Sequence, residues 1–70
     1  MKVKYFRDTD TLLIQLSDQA AVDYVDVSED VLAELDETGH LVAITVEHAQ
    51  TQTAVESFLF ETIDKAVVAA

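Results

Sequence analysis

Apolar and polar residues alternate with a period of two through most of the first 46 residues, which restricts the chain to a β-rich fold. Val3 and Tyr5 share one face of a first predicted strand, and alternate residues of Thr11–Leu16 share one face of a second. The polar segment Arg7–Asp10 between them predicts a turn, so we expect these two strands to form a hairpin.

Three more strands follow. Residues 22–27 predict a strand whose apolar phase slips, as at a bulge or a twisted sheet edge. Val31–Asp36 and Leu41–Glu47 predict the other two, joined by a turn that contains Gly39, the only glycine of the chain. A left-handed residue in a hairpin loop is easiest for glycine, so we expect Gly39 to adopt that conformation.

The periodicity becomes helical near the end of the chain. Thr53–Glu56 fits a capping box, in which a threonine hydroxyl and a glutamate bind free amides of the first helical turn. We expect a helix from Ala54 to about Val68, with an apolar stripe made by Val55, Phe58, Leu59, Phe60, Ile63, Ala66 and Val67. The predicted fold is one α+β domain over residues 1–70: an antiparallel β-meander of four to five strands in residues 1–48, packed on one C-terminal helix in residues 51–68.

A chain of 70 residues, half of them apolar, predicts one globular domain with a modest core. Domains this small commonly depend on disulfides, metals or association, and the absence of cysteine leaves no disulfide framework. Association is therefore the support to test. We find no signal-peptide pattern and no apolar run long enough to span a membrane, so we expect a cytoplasmic protein.

Charge is distributed unevenly. The chain has a net charge of −10, and its fourteen carboxylates lie between Asp8 and Asp64, a stretch without Lys or Arg, whereas Lys2, Lys4 and Arg7 crowd the start. Nucleic-acid affinity comes largely from cationic side chains that displace counterions, so direct binding to nucleic acid or anionic lipid is not expected. A basic protein or a cation would be attracted.

The alternation also predicts what each sheet face presents. If Leu12, Ile14, Leu16, Val31, Leu35, Val42, Ile44 and Val46 face the helix, then Leu13, Leu32, Leu41 and Ala43 face away from it. Contiguous exposed apolar residues usually mark interaction sites, so we interpret these four as a homo-oligomer interface, with a dimer as the expected state. The alternative is that they are scattered among polar neighbours and merely tolerated.

Candidate chemical groups are few. His40 and His48 flank one predicted strand and lie too far apart to share one metal within a monomer. The acidic residues Asp23, Asp26, Asp30, Glu34, Asp36 and Glu37 could attract a hard cation, although such charges usually form a solvated face. We therefore assign no catalytic, cofactor-binding or metal-binding residue, and we expect no enzyme activity.

The first fifty or so residues resemble a known family. The residues that carry the resemblance are Tyr5, the strand Asp10–Leu16, the segment Val27–Val31 and the hairpin Asp36–Val46 with its Asp-x-x-Gly turn. They are similar to the family called domain of unknown function 2283. The chain departs from the family pattern at Leu13 and Ala43, where Tyr and Gly are usual, and at Thr45 and Gln50.

The resemblance implies a fold and no established activity, while the neighbourhood of some members to small toxin-like proteins implies an antitoxin-like role. Three hypotheses follow. The first is a non-enzymatic, homo-oligomeric interaction module. The second is an acidic, antitoxin-like partner of a small basic protein. The third is a weak metal-binding or enzymatic role through the acidic surface and His40.

Overall fold

Over residues 1–65, the protein is a five-stranded antiparallel sheet followed by one short helix. The computed structural model describes residues 1–65. In chain order the elements are β1 (Lys2–Phe6), β2 (Thr11–Gln15), β3 (Asp23–Ser28), β4 (Val31–Leu35), β5 (Leu41–Val46) and α1 (Ala49–Gln52). The α+β class and the antiparallel sheet are therefore confirmed in outline, with a much smaller helical part than expected.

The strand order is β1-β2-β5-β4-β3, and every neighbouring pair is antiparallel. The predicted meander is wrong at one point, because β2 pairs with β5 and not with β3. Strand β5 occupies the centre because its Val42, Ala43 and Val46 are buried. Strand β3 contains Asp23 and Asp26 and lies at an edge of the sheet. Charged side chains at an edge remain hydrated and disfavour pairing with a further strand.

The turns follow the predicted chemistry. Gly39 has φ 85°, the left-handed value expected of it. The carboxylate of Asp36 closes the same turn, since its Oδ1 accepts hydrogen bonds from the amides of Thr38 and His40, each at 2.9 Å. The phase slip predicted between Tyr24 and Val25 is not a bulge, because Tyr24, Val25 and Asp26 pair with β4 in unbroken register. A register shift does occur on this edge strand, but it lies further on, between Asp26 and Ser28.

The register defines two faces of the sheet. The inner face is built by aligned residues of all five strands: Val3, Tyr5, Leu12, Ile14, Val25, Val31, Ala33, Ile44 and Val46. The outer face is built by the alternate residues: Lys2, Lys4, Phe6, Thr11, Leu13, Gln15, Tyr24, Asp26, Leu32, Glu34, Ala43 and Thr45. The predicted separation of Leu12, Ile14 and Ile44 from Leu13, Leu32 and Ala43 is therefore confirmed.

The predicted long helix is wrong over the residues that can be compared. Helix α1 spans Ala49–Gln52, residues 54–65 contain no helix, and residues 66–68 of the prediction lie outside the described residues. Thr53 does not begin a helix but ends one: its backbone is extended, and both its amide and its hydroxyl donate to the carbonyl oxygen of Ala49, at 2.8 and 3.0 Å. The predicted capping box with Glu56 is absent, because residues 54–65 contain no helix that it could begin.

Residues 54–65, after α1, form a turn and irregular structure, and the first of them lie along the inner face. Val55 and Phe58 line one cleft together with Leu12 and Ile14. A helix of this length is marginal in water without a packed apolar face, and here the stripe has little to pack against. Phe58, Leu59, Phe60 and Ile63 are 63–78% exposed.

The core is consequently thin. Among the described residues, the buried apolar side chains are the small or medium ones of Ala33, Val42, Ala43, Val46 and Ala49. No large side chain in residues 1–65 is fully buried. A half-apolar chain that buries so little of its apolar surface leaves much of it available for association.

Candidate interaction surface

The outer face contains one continuous row of side chains that crosses the whole sheet. Register pairs place Lys4 beside Leu13, Leu13 beside Thr45, Thr45 beside Leu32, and Leu32 beside Asp26. Side chains paired in this way point to the same side of a sheet. The row therefore begins with a cation, ends with a carboxylate and has two leucines around its central threonine.

A second row runs parallel to the first. It consists of Lys2, Gln15, Ala43, Glu34 and Tyr24, again in the order of the strands. Ala43, at its centre, is only 3% exposed because its small side chain lies between those of Gln15 and Glu34. The expectation that Ala43 presents an exposed apolar surface is therefore wrong, although its position on the outer face is confirmed.

The other three predicted interface residues have different positions. Leu13 and Leu32 are half-buried and lie on the outer face, on either side of Thr45. Leu41 is 44% exposed but pairs with Leu35, beyond a register shift, so it does not continue the alternation that includes Ala43. The structure thus brings together Leu13, Leu32 and Ala43 and separates Leu41 from them.

Charge on the outer face is divided between the two sides of the sheet. Lys2 and Lys4 lie on the β1 edge, whereas Asp26 and Glu34 lie on β3 and β4. Lys4 and Asp26 are four strands apart, about 19 Å at ordinary strand spacing, so they cannot pair within one chain. Among the described residues, neither lysine has a carboxylate within ion-pair distance. Sequence reasoning missed this division because alternation does not give strand order.

The segment after β5 is held against the β1–β2 hairpin by a polar network. The Tyr5 hydroxyl donates to the Asp10 carboxylate at 2.6 Å and accepts from the Gln50 side-chain amide at 3.0 Å. The backbone amide of Ala49 donates to the Asp10 carbonyl oxygen at 3.0 Å. The hydrogen bond to Asp10 raises the pKa of Tyr5, because the phenol is a donor in it.

The two tyrosines lie on opposite faces of the sheet. The Tyr5 ring lies on the inner face, and its hydroxyl bonds the side chains of Asp10 and Gln50. Tyr24 is 58% exposed on the outer face.

The two histidines lie beyond opposite ends of β5 and have different partners. His48 Nδ1 is 3.0 Å from the Asp30 carboxylate, and this hydrogen bond and the accompanying charge attraction raise the pKa of His48. His40 Nδ1 is 2.9 Å from the hydroxyl of Thr38, inside the β4–β5 turn. The His48–Asp30 pair was missed because the two residues are 18 positions apart and meet only through the pairing of β4 with β5.

The acidic residues considered for a cation site are dispersed. Asp23 and Asp26 lie on β3, Asp30 lies in the β3–β4 turn, and Asp36 and Glu37 lie at the opposite end of β4. Within residues 1–65, no three His, Asp or Glu side chains converge as metal ligands would. Hydrogen bonds from Thr38 and His40 lower the pKa of Asp36. The carboxylate of Asp36 thus stabilises the β4–β5 turn.

Comparison with known protein families gives a match over most of the chain. The family model described as "Protein of unknown function (DUF2283)" matches residues 2–50, which include all five strands and the start of α1. No curated protein and no solved structure matches the chain. In the described part of the chain, no helix has the length and apolar character needed to cross a membrane.

Proposed function

We propose a function for this chain, which belongs to the family of proteins of unknown function DUF2283. It is a non-enzymatic interaction module that self-associates through its outer face. The observation that carries the proposal is the outer-face row, in which Leu13 and Leu32 lie in register around Thr45. The segment that follows α1 lines clefts with inner-face residues, so it lies on the opposite side of the sheet.

The thin core supports the same proposal. A single sheet layer must cover its apolar side chains with another layer, and residues 53–58 lie against the inner face. A second copy placed on the outer face would bury Leu13 and Leu32 as the facing layers of a sandwich do. Association would thus add the packing that one chain of this size lacks.

The proposal is tested by sedimentation equilibrium of the Leu13→Asp variant beside the wild type. We expect the wild type to show a concentration-dependent dimer and Leu13→Asp to sediment as a monomer, because each dimer would bury two unpaired carboxylates. Val22→Asp is the matched control, since Val22 is 61% exposed in the connection before β3 and is not part of the outer face.

Circular dichroism of each variant separates a lost interface from a lost fold. A folded Leu13→Asp variant with the same mass distribution as the wild type would refute the proposal, as would a wild type that is monomeric at all concentrations. Loss of association in Val22→Asp would place the contact elsewhere on the molecule.

The exposed carboxylates favour a second candidate function, an antitoxin-like acidic partner of a small basic protein. Strand β3 is an unpaired edge whose Asp23 and Asp26 are exposed, and Glu29 continues the charge into the following turn. A cationic partner would be attracted by charge complementarity. Its affinity for this chain should fall as salt rises, and salt-independent binding would contradict this candidate.

A further inference from the structure

We propose that two copies associate as a face-to-face dimer whose two-fold axis runs along β5, so that Lys4 of each copy lies over the partner's Asp26. This inference rests on the proposed function, because it requires the outer face to be the interface. It goes further by giving the orientation of the second copy and the charged pairs that determine it.

A closed two-fold dimer of stacked sheets has two simple arrangements, since the axis must lie between the sheets. With the axis across the strands, β1 of one copy lies over β1 of the other. With the axis along the central strand, β1 lies over the partner's β3, and β2 lies over the partner's β4. Because β5 is the middle one of five strands, an axis along it places the two sheets directly over each other.

Charge distinguishes the two arrangements. With the axis across the strands, Lys2 and Lys4 of one copy face the same lysines of the other, and the acidic sides also meet. Like charges brought together at an interface disfavour that arrangement. With the axis along β5, Lys4 on β1 faces the partner's Asp26 on β3, and Glu34 on β4 faces the partner's Gln15 on β2.

The register makes the match specific to individual residues. A rotation about β5 reverses the row across the sheet, so Leu13 faces the partner's Leu32, and Thr45 faces its own counterpart. Packed sheets cross at about 30°, which displaces the ends of a row by about 5 Å. The long, flexible stem of Lys4 covers such a displacement and still reaches the partner's Asp26.

The arrangement also gives Lys4 a carboxylate partner, which it lacks within the described part of its own chain. Within residues 1–65, Lys2 and Lys4 have no carboxylate in ion-pair distance, although the chain has fourteen carboxylates. Both point to the outer face from the same edge strand. Since each copy has a net charge of −10, such local pairs are also needed to offset the general repulsion between two copies.

The test uses two charge reversals, Lys4→Glu and Asp26→Lys, measured by sedimentation equilibrium at physiological ionic strength. Each reversal replaces two attractive contacts per dimer with two repulsive ones, so we expect each single variant to dimerise about ten-fold more weakly. Mixing the two variants should restore wild-type affinity in the heterodimer. One of its two contacts then joins the introduced glutamate to the introduced lysine, and the other joins the unchanged Lys4 to the unchanged Asp26.

Matched controls remove the effect of total charge. Asp23→Lys makes the same change in charge on the same strand but on the inner side of the register, and Arg7→Glu matches Lys4→Glu from the β1–β2 turn. Asp26→Lys and Asp23→Lys both lower the repulsion between copies. Only Asp26→Lys should weaken the dimer if the contact is specific, and equal effects of the two would overturn the proposed orientation.

The outcomes separate this inference from the proposed function. If Leu13→Asp abolishes the dimer but the mixed charge variants show no preference for the heterodimer, the outer face is the interface and the orientation is wrong. If Lys4→Glu pairs with the wild type better than the wild type pairs with itself, the axis runs across the strands. If the wild type is monomeric, both the interface and the orientation are refuted.

Discussion

At the scale of single residues, local polar contacts hold the ends of the strands. Asp10 accepts from Tyr5 through its side chain and from Ala49 through its carbonyl oxygen. Asp36 organises the β4–β5 turn, and Asp30 binds His48 across 18 positions of sequence. The turn of Asp36 and Gly39 could be predicted because its determinants are adjacent in sequence, whereas the His48–Asp30 pair could not.

The His48–Asp30 contact makes stability depend on pH. The pKa of His48 is raised above its ordinary value of 6.5, so the contact contributes fully below that value and is lost as pH rises through the higher folded-state pKa. We expect Asp30→Asn to lower the pKa of His48, measured by following the imidazole ring proton by NMR. An unchanged titration in Asp30→Asn would show that the contact does not exist in solution.

Gly39 provides a second prediction at this scale. Its φ of 85° is strained for any residue with a Cβ, although no atom within 4 Å of that position would obstruct one. Gly39→Ala should therefore lower the free energy of unfolding by about 1 kcal/mol through backbone strain alone. Gly39→Asn should cost less, because asparagine tolerates the left-handed region, and chemical denaturation measures both. Equal losses in the two variants would contradict the explanation.

At the scale of elements, alternation predicts the strands well and the C-terminal segment poorly. Strand existence depends on a local period of two, which each predicted strand between residues 3 and 46 contains, apart from the phase slip in residues 22–27. The helix prediction failed because a helical period alone does not make a helix. The Thr53 hydroxyl donates to the carbonyl oxygen of Ala49, at the end of α1. The large apolar side chains of residues 58–63 are exposed and have little to pack against. Strand order could not be predicted, since β2 with β5 is a pairing between distant segments.

The role of Thr53 can be tested directly. If Thr53 ends α1, Thr53→Ala should leave the NMR secondary chemical shifts of residues 54–65 unchanged, because no helix in that range depends on its hydroxyl. Thr51→Ala is a useful comparison, since the Thr51 hydroxyl also donates within this short helix, to the carbonyl oxygen of His48. Helical shifts in residues 54–65 that disappear in Thr53→Ala would restore the capping interpretation.

At the scale of the whole molecule, the sheet is one layer with two unequal faces. The inner face is partly covered by the segment after α1, and the outer face contains a row that is basic at one edge and acidic at the other. Alternation placed Leu13, Leu32 and Ala43 on the outer face correctly, and it wrongly added Leu41, which a register shift separates from Ala43. The charge division emerged only with the strand order, and it specifies how a second copy would be oriented.

Isotope-filtered NOE spectroscopy of an equal mixture of labelled and unlabelled chains tests the central claim most directly. Within one chain Leu13 and Leu32 are separated by Thr45, about 10 Å across two strand spacings. We expect intermolecular cross-peaks between the methyl groups of Leu13 and Leu32. Intermolecular cross-peaks confined to inner-face residues, or none at concentrations that saturate association, would contradict self-association through the outer face.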